Sequence, residues 1–312
     1  MYFPYLRCKQ FELLALRELS QKLGSSRQIS PVLEPVKRSP NTLERALDVL
    51  IAYNVNFTII VNPSVGDFAG NSAGIVTLIN NKLAKYNNFQ LGVLINQFTN
   101  LERIDLALDE INSQKTLTLI HVGRPNDIDS LLQWAEDKEI RYNLYNETIP
   151  IRRYRGLVTA ETKVILEDRF HTQPKNAAYL QNPDEFFSDE HQYFQDDGNV
   201  GFSDYLTVGS DYVESGFLPY AVAIHLTYIK QDDQTIWIRH FVSDSNRDNI
   251  DVAGKFGEAL EKLMEFIDQQ NIRTDAANEF REHYRNQHYP GLGSLKKLSI
   301  KNHLELLLEL LA

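Results

Sequence analysis

The chain has a single cysteine, Cys8, among its 312 residues. An internal disulfide is therefore excluded, and the count fits a reducing compartment, so a cytoplasmic location is expected. Cys8 reads as a small buried filler, with Arg7 and Lys9 as the only neighbours that could activate it as a nucleophile. No apolar run reaches the roughly 18 residues of a membrane span. The most apolar stretch, 304–312, is broken by Glu305 and Glu309. The first residues show no signal pattern, and no membrane association is expected. Positive charge is also scarce. Lys and Arg total 32 against 42 Asp and Glu, for a net charge of -10. That balance argues against a nucleic-acid partner. Between 182 and 214 there are nine acidic residues and no Lys or Arg. Catalytic signatures are missing too. There is no GxSxG, HExxH, CxxC or kinase-type motif, and the Gly-rich stretch 65–74 lacks the GxxxxGK[ST] of a P-loop.

What is present is a rhythm. Residues 10–23 carry Phe11, Leu14, Leu16, Leu19 and Leu23 roughly on one helical face, and Gly24 is placed to end that helix. Short apolar strands are expected at 29–36, 57–62, 90–96, 116–122, 142–146 and 163–168, with helices between most of them. Asn126 or Asp127 caps the helix that precedes the strand at 142–146. The strands are apolar throughout, as strands covered on both faces should be. The spacing of about 25 to 34 residues is that of a βα unit with right-handed crossovers. A seventh strand is expected at 204–209, and 221–230 with 235–242 reads as a hairpin. Helices are expected at 254–270, 275–286 and 295–311. The fold predicted is α/β: a (β/α)8 TIM-barrel-like single domain over 1–312 with an irregular second half. Residues 169–202 are read as an insertion or lid, and 254–312 as a C-terminal helical region. An open doubly wound sheet is the alternative, set aside because no Gly fingerprint follows the first strand.

In a barrel the site forms at the C-terminal ends of the strands. The residues there are Glu34, Lys37, Asn62, Asn96, His121, Asn146, Glu167, Asp168, Asp211 and His240. Strand parity puts Glu34 on the face of Val32, and Asn96 on the face of Leu94 and Gly92. Glu34 and Glu167 are candidate acid and base groups, with His121 as a base. Carboxylates with Asn side chains could alternatively hold Mg2+. Salt bridges to Lys37 or Arg169, or a helix cap, are the structural reading of the same carboxylates. His-based zinc is set aside for want of a second His at ligand spacing. His225 and His240 could face each other across the hairpin. Arg152 and Arg153, with Arg155, could bind a phosphate or carboxylate, or clamp the acidic segment. The Leu-rich last helix wraps its own fold or offers a partner or dimer surface.

The opening residues carry a resemblance. Tyr2-x-Pro4-x-Leu6-x-x-Lys9-Gln10-x-Glu12-x-x-Ala15-Leu16, then Ile29-x-Pro31-Val32-Leu33-Glu34, resembles the start of the Beta protein family of bacteria and phages. It resembles a companion family of uncharacterised bacterial proteins more closely. The resemblance implies one barrel-like domain, often met near mobile elements and phage-related genes, and no established reaction. Lys9, Glu12 and Glu34 match the opening pattern and are carried as ligand-binding candidates. Ser39-Pro40-Asn41-Thr42-Leu43 is similar to a helix start of glycerophosphodiester phosphodiesterases. Their His-Arg-Gly is absent, since Pro35-Val36-Lys37 stands at that place. Two functions are expected from this reading. One is an interaction or effector-regulating component of an antiviral-defence or mobile-element locus, with a protein encoded nearby or a second copy of this chain as partner. The other is a divalent-metal-assisted phosphodiesterase or other hydrolase with an acidic site at the barrel mouth.

Overall fold

A computed structural model of the protein describes residues 1–38, 40–113, 116–146, 148, 157–214 and 219–312. The chain divides into two compact units. Unit 1 comprises Met1–Glu167 and Glu190–Asp204, and unit 2 comprises Asp168–Asp189 and Tyr205–Ala312. The segment read as an insertion is thus shared between them.

Unit 1 is a nearly closed (β/α)8-like barrel. Its strands are β1 (Tyr5–Leu6), β2 (Val32–Leu33), β3 (Phe57–Ile60), β4 (Phe89–Ile95), β5 (Leu117–His121), β6 (Ile140–Tyr145) and β7 (Lys163–Glu167). After β8 (Asp184–Ser188), which belongs to unit 2, and the one-turn helix α6 (Glu190–Tyr193), β9 (Gly201–Asp204) completes the ring. All eight strands of the ring pair in parallel with their neighbours. The ring closes where Tyr2 bridges both Ile29 and Phe202. There Phe3 N–H donates to Phe202 O at 2.8 Å and Phe202 N–H donates to Met1 O at 3.0 Å. The helices α1 (Gln10–Ser26), α2 (Pro40–Ala52), α3 (Ala73–Lys82), α4 (Leu101–Asp109) and α5 (Ile128–Ala135) fill the first five crossovers. All seven residues of β4 are buried, as a strand sandwiched between barrel interior and helix layer must be.

Several boundaries differ from the sequence reading, each for a local reason. The first barrel strand precedes α1, and Pro4 concealed it. Pro4 gives no ladder donor, but its carbonyl accepts from Val32 N–H at 2.8 Å. Gly24 does not end α1. It lies inside the helix, where an added Cβ would sit 2.0 Å from Tyr53 O, so its role is close approach to α2. Arg27, in the left-handed region at φ 55°, ends α1 instead. The strand expected at 204–209 is β9, ending at Asp204. Leu206 at φ 53° and Gly209 at φ 80° cannot continue an extended ladder. Asp127 is the cap of α5, accepting from Ser130 N–H at 3.0 Å.

The barrel lumen can be identified from contacts that skip a strand. Thr58 on β3 meets Thr118 on β5 at 3.5 Å, and the Phe3 and Tyr142 rings lie 4.8 Å apart. Side chains two or more strands apart meet only on the enclosed face. Register then assigns Val32, Thr58, Ile60, Gln90, Gly92, Leu94, Thr118, Ile120 and Leu144 to that face. Gly92 is small because an added Cβ would lie 2.8 Å from Ile60 Cγ1 and 2.9 Å from Thr58 Cγ2.

Unit 2 is an antiparallel sheet with three helices. Its strands run in the order β10 (Ala223–Ile229), β11 (Ile236–Val242), β8. The hairpin is therefore not part of the parallel ring. The helices are α7 (Val252–Gln269), α8 (Asp275–Arg285) and α9 (Leu292–Leu310). Ile224, Leu226, Phe256, Leu263, Phe280 and Leu298 share one buried cluster. The polar residues of α9 are also buried and bonded. Asn302 donates to Thr227 O at 2.8 Å and accepts from Thr274 Oγ at 2.8 Å. Glu305 accepts from Ala276 N–H at 3.0 Å and so satisfies one of the N-terminal amides of α8. Leu307 is fully buried, so the Leu-rich helix is core at that position and not a free docking face. No helix among the described residues is long and apolar enough to cross a membrane.

Candidate functional site

The C-terminal mouth of the unit 1 barrel begins one step beyond the last lumen layer. Glu34 follows Val32, Asn62 follows Ile60, Asn96 follows Leu94 and Asn146 follows Leu144, each two residues on and therefore on the lumen side by parity. Arg7 follows Tyr5 in the same way. The parity reading of Glu34 and Asn96 thus selects the lumen face.

Glu34 is the centre of this ring. It is 1% exposed. Tyr5 Oη donates to Oε2 at 2.9 Å, and Arg7 Nε lies 3.5 Å from the same oxygen. Ser64 N–H and Ser64 Oγ donate to Oε1 at 3.0 and 3.2 Å. Ser64 itself is exposed, so its hydroxyl is the outward end of a buried carboxylate. Cys8 sits beside this group, 6% exposed and at φ 50°. Burial, then the Glu12 and Glu34 carboxylates, push its thiol well above the ordinary range, which suits a filler and not a nucleophile.

The other expected residues take local roles. Glu12 is buried and accepts from Lys9 N–H at 3.3 Å, closing the first turn of α1, so the pair serves the helix start. Lys37 lies 3.8 Å from Asp67 with both side chains about 40% exposed, a solvated pair. The Asn62 side-chain amide pairs with the Leu94 main chain, accepting at 2.8 Å and donating at 2.9 Å. Asn96 Oδ1 accepts from Phe98 N–H at 2.7 Å. Asn146 donates to Glu167 Oε1 at 3.4 Å. Asp168, in unit 2, accepts from Phe170 N–H at 3.2 Å and Ser210 N–H at 2.8 Å, fixing loop backbone. Asp211 is exposed on that unit. Arg152 and Arg153 lie outside the described residues.

His121 does not face the barrel interior. Its strand partners put it on the side of Leu119, opposite to Thr118 and Ile120. It is buried, and Nε2–H donates to Asn143 Oδ1 at 3.1 Å. Burial lowers its pKa to about 4, partly offset by Asn143. At neutral pH it is an uncharged imidazole under the helix layer, away from the mouth.

A cavity of about 310 Å3 opens beside the ends of β3 and β4. Asn62, Ser64, Asn71, Ser72, Asn96, Phe98, Asn100 and Arg103 are among its lining residues. The volume is at the lower end of small-molecule sites. Sequence reasoning found Asn62 and Asn96. It missed Asn71, Asn100 and Arg103, whose only signal was their place between β3 and α3 or at the start of α4.

Unit 2 holds a second polar group. His225 and His240 are cross-strand partners on β10 and β11, with Nδ1 atoms 2.7 Å apart. His240 Nε2 lies 3.3 Å from Glu185 Oε1, and His171 Nδ1 lies 2.6 Å from Glu185 Oε2. Phe170 and Tyr179 rings pack on both imidazoles. Burial lowers His225 to about 3, with His240 adding to the shift. Burial also lowers His240, against the raising effect of Glu185. A larger hollow of about 460 Å3 in this unit is lined by Asp244, Asp248, Asp251, Lys255 and Glu258. Its carboxylates are committed: Glu258 to the Asp244 and Ser245 N–H groups, Asp251 to the α7 cap, Asp248 to Lys255.

The residues do not fit the expected Mg2+. Both Glu34 oxygens are taken up by hydroxyl, amide and guanidinium groups. No group of three His, Cys, Asp or Glu side chains among the described residues could hold a metal.

The fold and mouth define a TIM-barrel-like protein with a polar strand-end ring. No family model matches the chain, and no curated protein matches it. Among solved structures it is similar to N-acetylneuraminate lyase from Mycoplasma synoviae. The TM-score is 0.41 at 10% identity, covering 65% of this chain and 68% of that one. A likeness of that size carries no argument about chemistry or fold here.

Proposed function

We propose that the unit 1 barrel mouth is a small-molecule site of the hydrolase kind, with Glu34 as its acidic group and no dependence on a divalent metal. The supporting observation is the cavity of about 310 Å3 beside β3 and β4, whose wall includes the exposed Ser64 bonded to buried Glu34. In this reading the Ser64 oxygen adds to the substrate's acyl or phosphoryl centre and its proton passes to Glu34. The leaving oxygen takes that proton as its bond breaks. Water then frees Ser64 by the same exchange. The test is a panel of p-nitrophenyl esters, phosphate esters and glycosides, assayed with Glu34→Gln and Ser64→Ala. One substrate class should be turned over, with kcat/KM lower by about 100-fold or more in both variants. Equal rates in wild type and both variants would end the reading.

A second reading rests on a different observation. Phe98, Leu106 and Val122 of unit 1 are 82%, 65% and 40% exposed. Exposed apolar side chains suit a barrel that regulates a protein partner encoded nearby, or a second copy of itself, in a phage-defence locus. Light scattering of wild type and a Leu106→Asp, Val122→Asp variant, neither residue lining the cavity, separates the two readings. A complex or dimer lost in the variant favours the partner, and a monomer that still turns over substrate favours the enzyme.

A further inference from the structure

The cavity beside β3 and β4 offers hydrogen-bond donors with few matching acceptors. Four asparagines line it. In three of them the carbonyl is consumed by a nearby main-chain N–H. Asn71 Oδ1 accepts from Ala73 N–H at 3.1 Å, Asn96 Oδ1 from Phe98 N–H at 2.7 Å and Asn100 Oδ1 from Arg103 N–H at 3.0 Å. A main-chain N–H can only donate, so each amide is oriented with its NH2 group left over. Those three NH2 groups have no partner among the described residues. The Arg103 guanidinium and the Ser72 hydroxyl likewise have none. The fourth asparagine, Asn62, is held at both its Oδ1 and its NH2 by the Leu94 main chain. Thr99 Oγ is also spent, donating to Leu94 O at 3.3 Å and accepting from Asn96 N–H at 2.8 Å. No carboxylate lines the cavity, and Phe98 stands at its wall 82% exposed.

A ligand matched to this lining must bring acceptors and negative charge. A sugar brings one donor hydrogen with every hydroxyl, and in this lining those hydrogens would face other donors. An oxyanion has acceptors only, and Arg is the side chain best shaped to meet one. Phe98 adds a flat apolar surface for a ring carried by the same molecule. We infer that the cavity binds a small oxyanion ester, of the phosphate type, with its apolar group set against Phe98. The inference rests on the reading of the mouth as a ligand site, and it specifies the ligand class.

The probes are phenyl phosphate, phenyl sulfate, inorganic phosphate and the neutral phenyl glucoside, titrated calorimetrically into the full-length protein. Arg103→Ala changes an exposed position in the first turn of α4 and Asn96→Ala the loop after β4, and unchanged melting curves would show that both still fold. Phenyl phosphate should bind best, inorganic phosphate more weakly, and the glucoside not at all. Each substitution should weaken phenyl phosphate by about tenfold, the loss of one charged or well-placed hydrogen bond. Tighter phenyl sulfate would keep the oxyanion and change its kind. Equal binding of the glucoside, affinity unchanged in both variants, or no binding of any probe would overturn the inference. Binding retained in Glu34→Gln, with no turnover by wild type, would sink the hydrolase reading and leave this one standing.

Discussion

Each unit buries one carboxylate of special interest, and the two are held differently. Glu34 in unit 1 meets a guanidinium, a phenol and a serine's hydroxyl and amide. Glu185 in unit 2 meets two imidazoles, His171 and His240. The Glu185 partners are imidazoles, and burial lowers the pKa of His240 against the raising effect of that carboxylate. The lesson is that a buried carboxylate takes its character from its partners. One is held by a guanidinium and hydroxyl and amide donors, and the other by imidazoles.

The sharpest way to break the comparison is Glu34→Ala. It leaves Arg7, whose side chain is only 13% exposed, facing no carboxylate at that position. Loss of one partner of a buried pair costs about 3–5 kcal/mol, which a urea midpoint would register. A loss under about 1 kcal/mol would show that the Glu34 bonds add little to the barrel.

The next effect is acid. His225 is depressed from its unfolded value to about 3, so the folded protein keeps it neutral while the unfolded chain takes a proton below pH 6.5. Its contribution is fully present above that pH and is lost as pH falls toward 3. Between pH 6.5 and 4 one such imidazole costs roughly 3 kcal/mol. His121 in unit 1, at about 4, adds a loss of the same sign over nearly the same window. Urea melts from pH 7 to 4 should therefore steepen below 6.5, and His225→Asn should remove about one proton's worth of that slope. An unchanged slope would mean that His225 is not held neutral by the fold.

The smallest expected change is Glu185→Gln. The amide keeps the shape and loses the charge that faces the 65% exposed His171. A loss of about 1 kcal/mol is expected at pH 7, read from the urea midpoint. An unchanged urea midpoint would show that charge plays no part in that contact.

The sequence carried more of the barrel than of its site. The βα rhythm is local, written in apolar runs such as those of β4 and β5, and it was legible. So was the parity of Glu34 and Asn96, since alternation along a strand needs no knowledge of the partner. His225 and His240 were paired correctly because a short hairpin turn fixes its own register. His121 was misread because strand-end position alone says nothing about which face a side chain takes. Asn71, Asn100 and Arg103 were missed because no pattern along the chain marks a cavity wall.

By itself, then, the sequence determined a parallel α/β architecture, the acidic balance and a set of polar strand ends. Only the tertiary structure decided that Met1–Leu6 closes the ring, because the evidence is a bridge between Tyr2 and Phe202, distant in sequence. It also decided that the hairpin lies in unit 2 and that Leu307 is core. The physical reason is the same in each case. Periodicity is a property of neighbours along the chain, whereas closure, burial and the sharing of hydrogen bonds depend on which distant residues come to lie alongside.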